Sequence, residues 1–141
     1  MGEARDLMNR ITEAAFRGDV ETLRECYAED ATAVSPDAGE LRGREAIIEW
    51  ITQFREAMPD ITYESAFEHE DGDTAIDEGY VIGTHTQPLP LPTGETVPAT
   101  GNQIRVRAAD AATIQDGRIV SHRFYYDQME FLTQLGLAPQ A

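Results

Sequence analysis

The sequence predicts a small α+β protein in which a strongly curved antiparallel sheet wraps around N-terminal helices. Two observations lead to this fold class. Helical spacing of apolar residues dominates the first part of the chain, and from Ile61 onward the chain reads as strands separated by turns, followed by one last helix. Helices followed by a strand meander are typical of α+β proteins and not of alternating βαβ units. The 141 residues fit one domain, residues 1–141, with no linker and no internal repeat.

Three helices are predicted in the first 60 residues. The first covers residues 3–17 and ends at Gly18, a common C-terminal signal. Asp19 caps a second, short helix that runs to about Tyr27. The third covers about residues 45–58, and its apolar stripe consists of Ile47, Ile51, Phe54 and Met58.

Alternating segments between turn signals predict the strands and the last helix. The strands are expected at residues 31–34, 61–70, 74–86, 103–114 and 119–126, and the helix at about residues 128–135. The segment at residues 87–100 contains four prolines and is predicted to be a loop. A long loop of this kind is either a lid over a functional site or a rigid connector, and the sequence leaves both open.

The charge balance excludes several function classes. The chain has 26 acidic and 11 basic residues and a formal net charge of −15. A field of that sign repels nucleic-acid backbones and anionic lipid surfaces, so we expect neither as a partner. The single cysteine, Cys26, cannot form an intramolecular disulfide, and no signal-peptide or membrane-spanning pattern is present. We therefore expect a cytoplasmic protein.

The last predicted strand carries the groups best suited to chemistry. Strict alternation puts Arg123, Tyr125 and Asp127 on one face and His122, Phe124 and Tyr126 on the other. If the first face points inward, Asp127 is a candidate general acid or base, because aromatic surroundings raise a carboxylate pKa and a nearby Arg lowers it. The alternative is that Asp127 only caps the helix that follows it. By the same alternation His122 is assigned to the core or to a partner surface.

Three further polar residues lie in predicted strands. Asp110 has small neighbours, which leave room for a ligand, and it could pair with Arg123 inside the fold; it could equally face solvent. His85 is placed at the start of the proline-rich loop, where it either contacts a substrate or anchors the loop. Asp77 is expected to be exposed. Because no pair of the three histidines has metal-ligand spacing, no metal site is predicted.

A set of short motifs resembles a known family. The motifs are Gly83-Thr84-His85-Thr86, Pro92-Thr93-Gly94, Asp116-Gly117-Arg118-Ile119-Val120, Tyr126-Asp127-Gln128, and near the N-terminus Gly18-Asp19, Tyr27-Ala28-Glu29-Asp30 and Gly43-Arg44-Glu45-Ala46-Ile47. Over nearly the whole chain they are similar to the SnoaL-like polyketide cyclase or ester cyclase group of the nuclear-transport-factor-2-like superfamily. The resemblance implies a cone-shaped α+β barrel that forms a homodimer through its sheet. It also implies an aspartate at the end of the last strand, here Asp127, that catalyses an intramolecular aldol closure without any cofactor.

The resemblance and the residues together give a functional hypothesis. We expect a cofactor-independent acid/base enzyme acting on a small or polycyclic apolar carbonyl compound, with Asp127, Arg123 and Asp110 as the catalytic set. The predicted substrate contacts are His85 and an aromatic wall formed by Phe16, Tyr27, Trp50, Phe54 and Tyr125. Two residues depart from the cyclases: Arg123 stands in place of a common Trp, and Gly79 in place of a common aromatic residue. An Asp–Arg–Asp set built around Arg123 resembles the water-activating epoxide-hydrolase branch of the superfamily, so a hydrolase or hydratase stays open. A non-catalytic ligand-binding module is the other alternative.

Overall fold

A computed structural model describes residues 2–137 of the chain. Its four helices are α1 (Glu3–Arg17), α2 (Val20–Cys26), α3 (Arg44–Ala57) and α4 (Gln128–Gln134). Its eight strands are β1 (Tyr27–Ser35), β2 (Gly39–Arg42), β3 (Thr62–Asp71), β4 (Thr74–Thr84), β5 (Leu89–Pro90), β6 (Thr96–Val97), β7 (Gln103–Gln115) and β8 (Arg118–Tyr126). None of the helices within residues 2–137 is both long and apolar enough to cross a membrane.

Six strands form one curved sheet in the order β2-β1-β8-β7-β4-β3. The predicted α+β class with a curved sheet around N-terminal helices is therefore confirmed. Among the residues that the structure describes, the sheet is not closed, because β2 and β3 are its edge strands. It is antiparallel apart from the β1–β8 pair, which is parallel and was not expected from the sequence.

Local signals explain where α1 ends and where α2 begins. Gly18 has φ of 78°, and its N–H bonds to the carbonyl of Ala14, which closes α1. The side chain of Asp19 accepts from the N–H of Thr22 and caps α2, as predicted. Two hydrogen bonds from the Thr22 side chain and backbone, together with Arg17, lower the pKa of Asp19 to about 2.

Two apolar clusters hold the helices against the concave face of the sheet. The larger joins α1, α2 and α3 to the strands and includes Met8, Ile11, Leu23 and Ile47, all buried. The smaller joins the end of α3, strand β7 and helix α4, and includes Met58, Ile104 and Phe131. Burial of each such side chain stabilises the fold by about 1.5–3 kcal/mol.

Four local features differ from the sequence predictions. Strand β1 begins at Tyr27, four residues earlier than expected, so Tyr27 belongs to the sheet and not to α2. The segment before α3 adds the edge strand β2, and the proline-rich loop contains the small β5–β6 hairpin. Strand β8 is irregular, because Thr113 pairs with Ser121 while Ile114 pairs with Ile119. Val120 is therefore an extra residue on β8, a β-bulge.

Candidate functional site

A cavity of about 170 Å³ lies between the helices and the concave face of the sheet. Its size is sufficient for a ring compound, since an engineered apolar cavity of about 150 Å³ accommodates benzene. Most of its wall is apolar. The five aromatic residues that the sequence analysis assigned to a wall all line it: Phe16, Tyr27, Trp50, Phe54 and Tyr125. Tyr125 lies at the margin and is 59% exposed.

The cavity contains a hydrogen-bonded line of three polar side chains from three adjacent strands. The Oη atom of Tyr27 on β1 lies 2.6 Å from Nδ1 of His122 on β8. Nε2 of the same imidazole lies 2.6 Å from Oδ2 of Asp110 on β7. All three residues line the cavity. The His122 side chain is 4% exposed and that of Asp110 is 18% exposed.

Burial determines how the protons are arranged along this line. Tyr27 is fully buried, and desolvation together with the charge of Asp110 raises its pKa, so its hydroxyl stays protonated. Among residues 2–137 its only side-chain hydrogen-bond partner is Nδ1 of His122, which therefore accepts the Tyr27 proton. With Nδ1 as the acceptor, Nε2 carries the ring proton and donates a hydrogen bond to Oδ2 of Asp110. The Oδ1 atom of Asp110 is left without a partner among the described residues and is available to a ligand.

A second carboxylate lies beside the first on the inner face of the sheet. Asp77 on β4 is the direct cross-strand neighbour of Asp110. It forms an ion pair with Arg5 of α1, in which Arg5 Nη2 lies 2.5 Å from Asp77 Oδ1. Burial raises the pKa of Asp77, the charge of Asp110 adds to the rise, and Arg5 offsets it only in part. The expectation that Asp77 is exposed is wrong: the residue is buried because Arg5 reaches into the fold to pair with it.

Asp127 does not lie in the cavity. It is exposed and is the N-cap of α4, where its Oδ1 accepts from the N–H of Glu130 at 3.1 Å. The hypothesis that the Asp127 carboxylate lies in an apolar chamber is therefore wrong. The alternative, that Asp127 caps the helix that follows it, agrees with the structure. The physical reason is that the inward face of β8 is the one that carries His122, Phe124 and Tyr126.

Arg123 is likewise on the other face of the sheet. Its guanidinium donates to the hydroxyls of Thr113 and Ser121, at 3.1 and 2.8 Å, and not to Asp110. The expected pairing of Arg123 with an acid inside the fold is therefore wrong. His122 takes that place, because it projects inward from the neighbouring position of the same strand.

His85 does not line the cavity either. It is 1% exposed, and its Nδ1 lies 3.0 Å from the Thr100 hydroxyl. The backbone of His85 is paired with Asn102 and Gly101 at the end of the same loop. Of the two interpretations left open, the structure favours an anchor for the proline-rich loop over a substrate contact.

Sequence reasoning missed the histidine of the site and two tyrosines. His122 shares its face with Phe124 and Tyr126, and its ring stacks on Phe124 with centroids 4.0 Å apart. That aromatic face was the signal that this side points inward. Tyr63 and Tyr126 also line the cavity, and each has a buried hydroxyl. Within residues 2–137 no group of three His, Cys, Asp or Glu side chains converges as metal ligands would.

The fold and cavity define a class of protein: a curved sheet that encloses a ligand-sized apolar chamber containing a few convergent polar groups. The chain belongs to the SnoaL-like domain family, whose family model matches residues 8–122. A search of curated protein sequences gives no significant match.

Solved structures agree with this assignment. IdmH from Streptomyces antibioticus, a proposed polyketide cyclase, is 31% identical with a TM-score of 0.77, over 93% of this chain and 96% of IdmH. A proposed SnoaL-like polyketide cyclase from Jannaschia sp. CCS1 is 18% identical with a TM-score of 0.85, over 97% of this chain and 94% of that one. A protein with a ketosteroid isomerase-like fold from Catenulispora acidiphila is 20% identical with a TM-score of 0.75, over 93% and 92%.

Proposed function

We propose that the protein is a cofactor-independent acid/base enzyme of the cyclase type, in which Asp110 is the proton-transfer group. The observation that carries the proposal is the line from Tyr27 through His122 to Asp110 in an apolar cavity. It ends at a carboxylate oxygen that has no hydrogen-bond partner within residues 2–137. The 31% identity to IdmH, itself a proposed polyketide cyclase, supports the same reaction class. The substrate class is an apolar compound with at least two carbonyl groups.

The reaction is an intramolecular aldol closure. Oδ1 of Asp110 takes a proton from a carbon next to one carbonyl group, and the C–H electrons form an enolate. The enolate carbon attacks the second carbonyl carbon of the same molecule, so that one C–C bond forms as one C=O π bond breaks. The resulting alkoxide takes the proton back from Asp110. The product is an isomer of the substrate, and no electron leaves or enters the system.

His122 and Tyr27 act through Asp110. The Nε2–H of His122 fixes the carboxylate by a hydrogen bond of 2.6 Å, and Tyr27 fixes the imidazole in the tautomer that donates. Aromatic packing holds the ring in place, since Phe124 stacks on it and Trp50 lies 4.8 Å from Phe124 between ring centroids. A group held in this way reaches the geometry for proton transfer with little loss of entropy.

The arrangement that the water-activating alternative requires is not found among the described residues that line the cavity. It depended on Arg123 lying between two acids inside the fold, and Arg123 bonds to Thr113 and Ser121 on the outer face. The non-catalytic alternative is favoured by a packed interior or by an Asp127 that bonds only to amides of the last helix. Asp127 does accept from the N–H of Glu130, which favours that alternative. The cavity of about 170 Å³ beside Asp110 supports an enzyme instead.

The test uses 2-tetralone, a bicyclic ketone with acidic α-protons, in deuterated buffer. We expect the wild-type protein to accelerate exchange of the α-protons, measured by NMR, and Asp110→Asn to lose about 10²–10⁴-fold of that acceleration. Asp127→Asn is the matched control, because it makes the same chemical change outside the cavity, and it keeps the wild-type rate. Exchange in Asp110→Asn at the wild-type rate contradicts the proposal.

A further inference from the structure

The cavity contains a hydroxyl group that the proposed proton transfer does not use. Tyr63 projects from β3 and lines the cavity, and its Oη atom is buried without a hydrogen-bond partner among residues 2–137. A buried hydroxyl without a partner destabilises the fold, because it has lost its hydrogen bonds to water and gained none in return. A group retained at that cost in a ligand-sized chamber is suited to bind a ligand atom.

The surrounding backbone makes room for this hydroxyl. Gly79 on β4 lies beneath it, and a Cβ at that position would approach Tyr63 Oη to 2.8 Å and also collide with the carbonyl oxygen of Glu64. Gly79 pairs with Ala108 on β7, and Ala108 pairs with Tyr126 on β8. The Gly79–Ala108 pair therefore forms a floor without large side chains, and the Tyr63 hydroxyl stands at one end of it.

The charges nearby determine which role the hydroxyl can take. Burial raises the pKa of Tyr63, and the charges of Asp110 and Asp77 raise it further. The group therefore remains an O–H donor at neutral pH and does not act as a base. Asp110 is one inward position along β7 from Ala108, so the donor and the carboxylate lie on the same floor.

We propose that the Tyr63 hydroxyl binds the carbonyl oxygen of the ligand while Asp110 faces the adjacent C–H group. The ligand class is then a flat apolar ketone whose oxygen accepts a hydrogen bond at the Gly79 end of the floor. The catalytic consequence, stabilisation of the enolate oxygen as charge develops on it, rests on the proposed function. The binding role does not, since it requires no proton transfer to carbon.

The experiment compares two probes that differ by one carbonyl group, 2-tetralone and tetralin. Dissociation constants are measured by calorimetry for the wild-type protein, Tyr63→Phe and Tyr126→Phe. We expect the wild-type preference for 2-tetralone over tetralin to fall by about three- to tenfold in Tyr63→Phe, the loss expected for one hydrogen bond. Tetralin affinity is unchanged, because the ring of residue 63 is retained.

Tyr126→Phe is the matched control. Its hydroxyl also lies in the cavity and also lacks a hydrogen-bond partner among the described residues. It differs from the Tyr63 hydroxyl in its surroundings, because burial and then the nearby carboxylate of Asp37 raise the pKa of Tyr126. We expect this variant to keep the preference for 2-tetralone. An unchanged preference in Tyr63→Phe, or an equal loss in both variants, overturns the proposal.

A further variant separates this inference from the proposed function. Asp110→Asn loses proton exchange but keeps the preference for 2-tetralone if both proposals hold. If Asp110→Asn loses exchange but Tyr63→Phe binds both probes as the wild type does, Asp110 remains the base and Tyr63 is not the donor. If Asp110→Asn keeps the wild-type exchange rate but Tyr63→Phe loses the preference for 2-tetralone, Tyr63 remains the ligand donor and the proposed acid/base function is wrong.

Discussion

Asp77 and Asp110 face each other across β4 and β7, and each carboxylate bonds to a different basic side chain. Asp77 pairs with Arg5 of the N-terminal helix, and Asp110 accepts from His122 of the last strand. Two carboxylates at adjacent sheet positions repel each other, which is why the charge of Asp110 raises the pKa of Asp77. The fold therefore needs Arg5 next to the site, although Arg5 is not in the cavity.

Removing Arg5 tests this dependence. Arg5→Met leaves Asp77 buried without its cation, and we expect the free energy of unfolding in urea to fall by about 3–5 kcal/mol. Adding Asp77→Asn to Arg5→Met restores part of the loss, because the unpaired charge is then gone. Arg10→Met is the control, since Arg10 and Glu25 form an exposed pair, worth about 1 kcal/mol at most. Equal losses for Arg5→Met and Arg10→Met would show that the buried pair is not needed.

Asp127 is expected to contribute to stability and not to catalysis. Asp127→Ala removes the N-cap of α4, and we expect it to lower the free energy of unfolding by about 0.5–2 kcal/mol. Asp127→Asn retains a capping oxygen and should lie close to the wild-type value. Both variants keep the wild-type rate of 2-tetralone exchange. A large loss of exchange in Asp127→Asn, with folding intact by circular dichroism, returns the catalytic role to Asp127.

The anchor of the proline-rich loop is expected to weaken in mild acid. Burial lowers the pKa of His85 below its ordinary value of 6.5. A depressed histidine pKa stabilises the folded state above the unfolded-state value, and that contribution is lost as the pH falls through the folded-state value. We therefore expect the difference in unfolding free energy between pH 7 and pH 5.5 to be smaller in His85→Asn than in the wild type. The same change in unfolding free energy between the two pH values in His85→Asn and in the wild type would contradict the prediction.

We propose that two copies of the chain associate through the outer face of the sheet. One row across this face joins Phe67, Glu78, Ala109 and Tyr125 through successive strand pairs. Phe67 is 62% exposed, and Val34 and Ile76 are exposed as well. The small side chain of Ala109 in this row allows close approach of a second sheet.

Light scattering tests the association. We expect the wild-type protein to have twice the mass of one chain, and Phe67→Thr to shift the equilibrium toward the monomer while preserving strand propensity. Met129→Gln is the control, because Met129 is a similarly exposed apolar residue on helix α4. A wild-type monomer at high concentration, or equal effects of the two substitutions, contradicts the proposal.

The helices could be predicted from the sequence because their signals are local. Gly18 and Asp19 end one helix and start the next through contacts within a few residues, and the apolar spacing of α1 and α3 reflects one buried face. The strands of the meander were predicted for the same reason, since turns and alternation are short-range features.

The site could be predicted only in part, because it depends on contacts that are distant in sequence. Tyr27 meets His122 across the parallel pairing of β1 with β8, and no short pattern indicates that pairing. Asp77 is buried only because Arg5, 72 positions earlier, reaches it. The wall residues were accessible to sequence reasoning, since large aromatic side chains in core elements must border any cavity that exists.

The bulge at Val120 determines which side chains of the second half of β8 face the interior. Ile119 and His122 both project inward although they are three positions apart, an arrangement that the bulge alone permits. Regular pairing of the same residues without the bulge would turn Arg123 and Tyr125 toward the interior and the imidazole of His122 toward water. Deleting Val120, by contrast, would leave Ile119 and His122 two positions apart, and ordinary alternation would then keep both side chains inward.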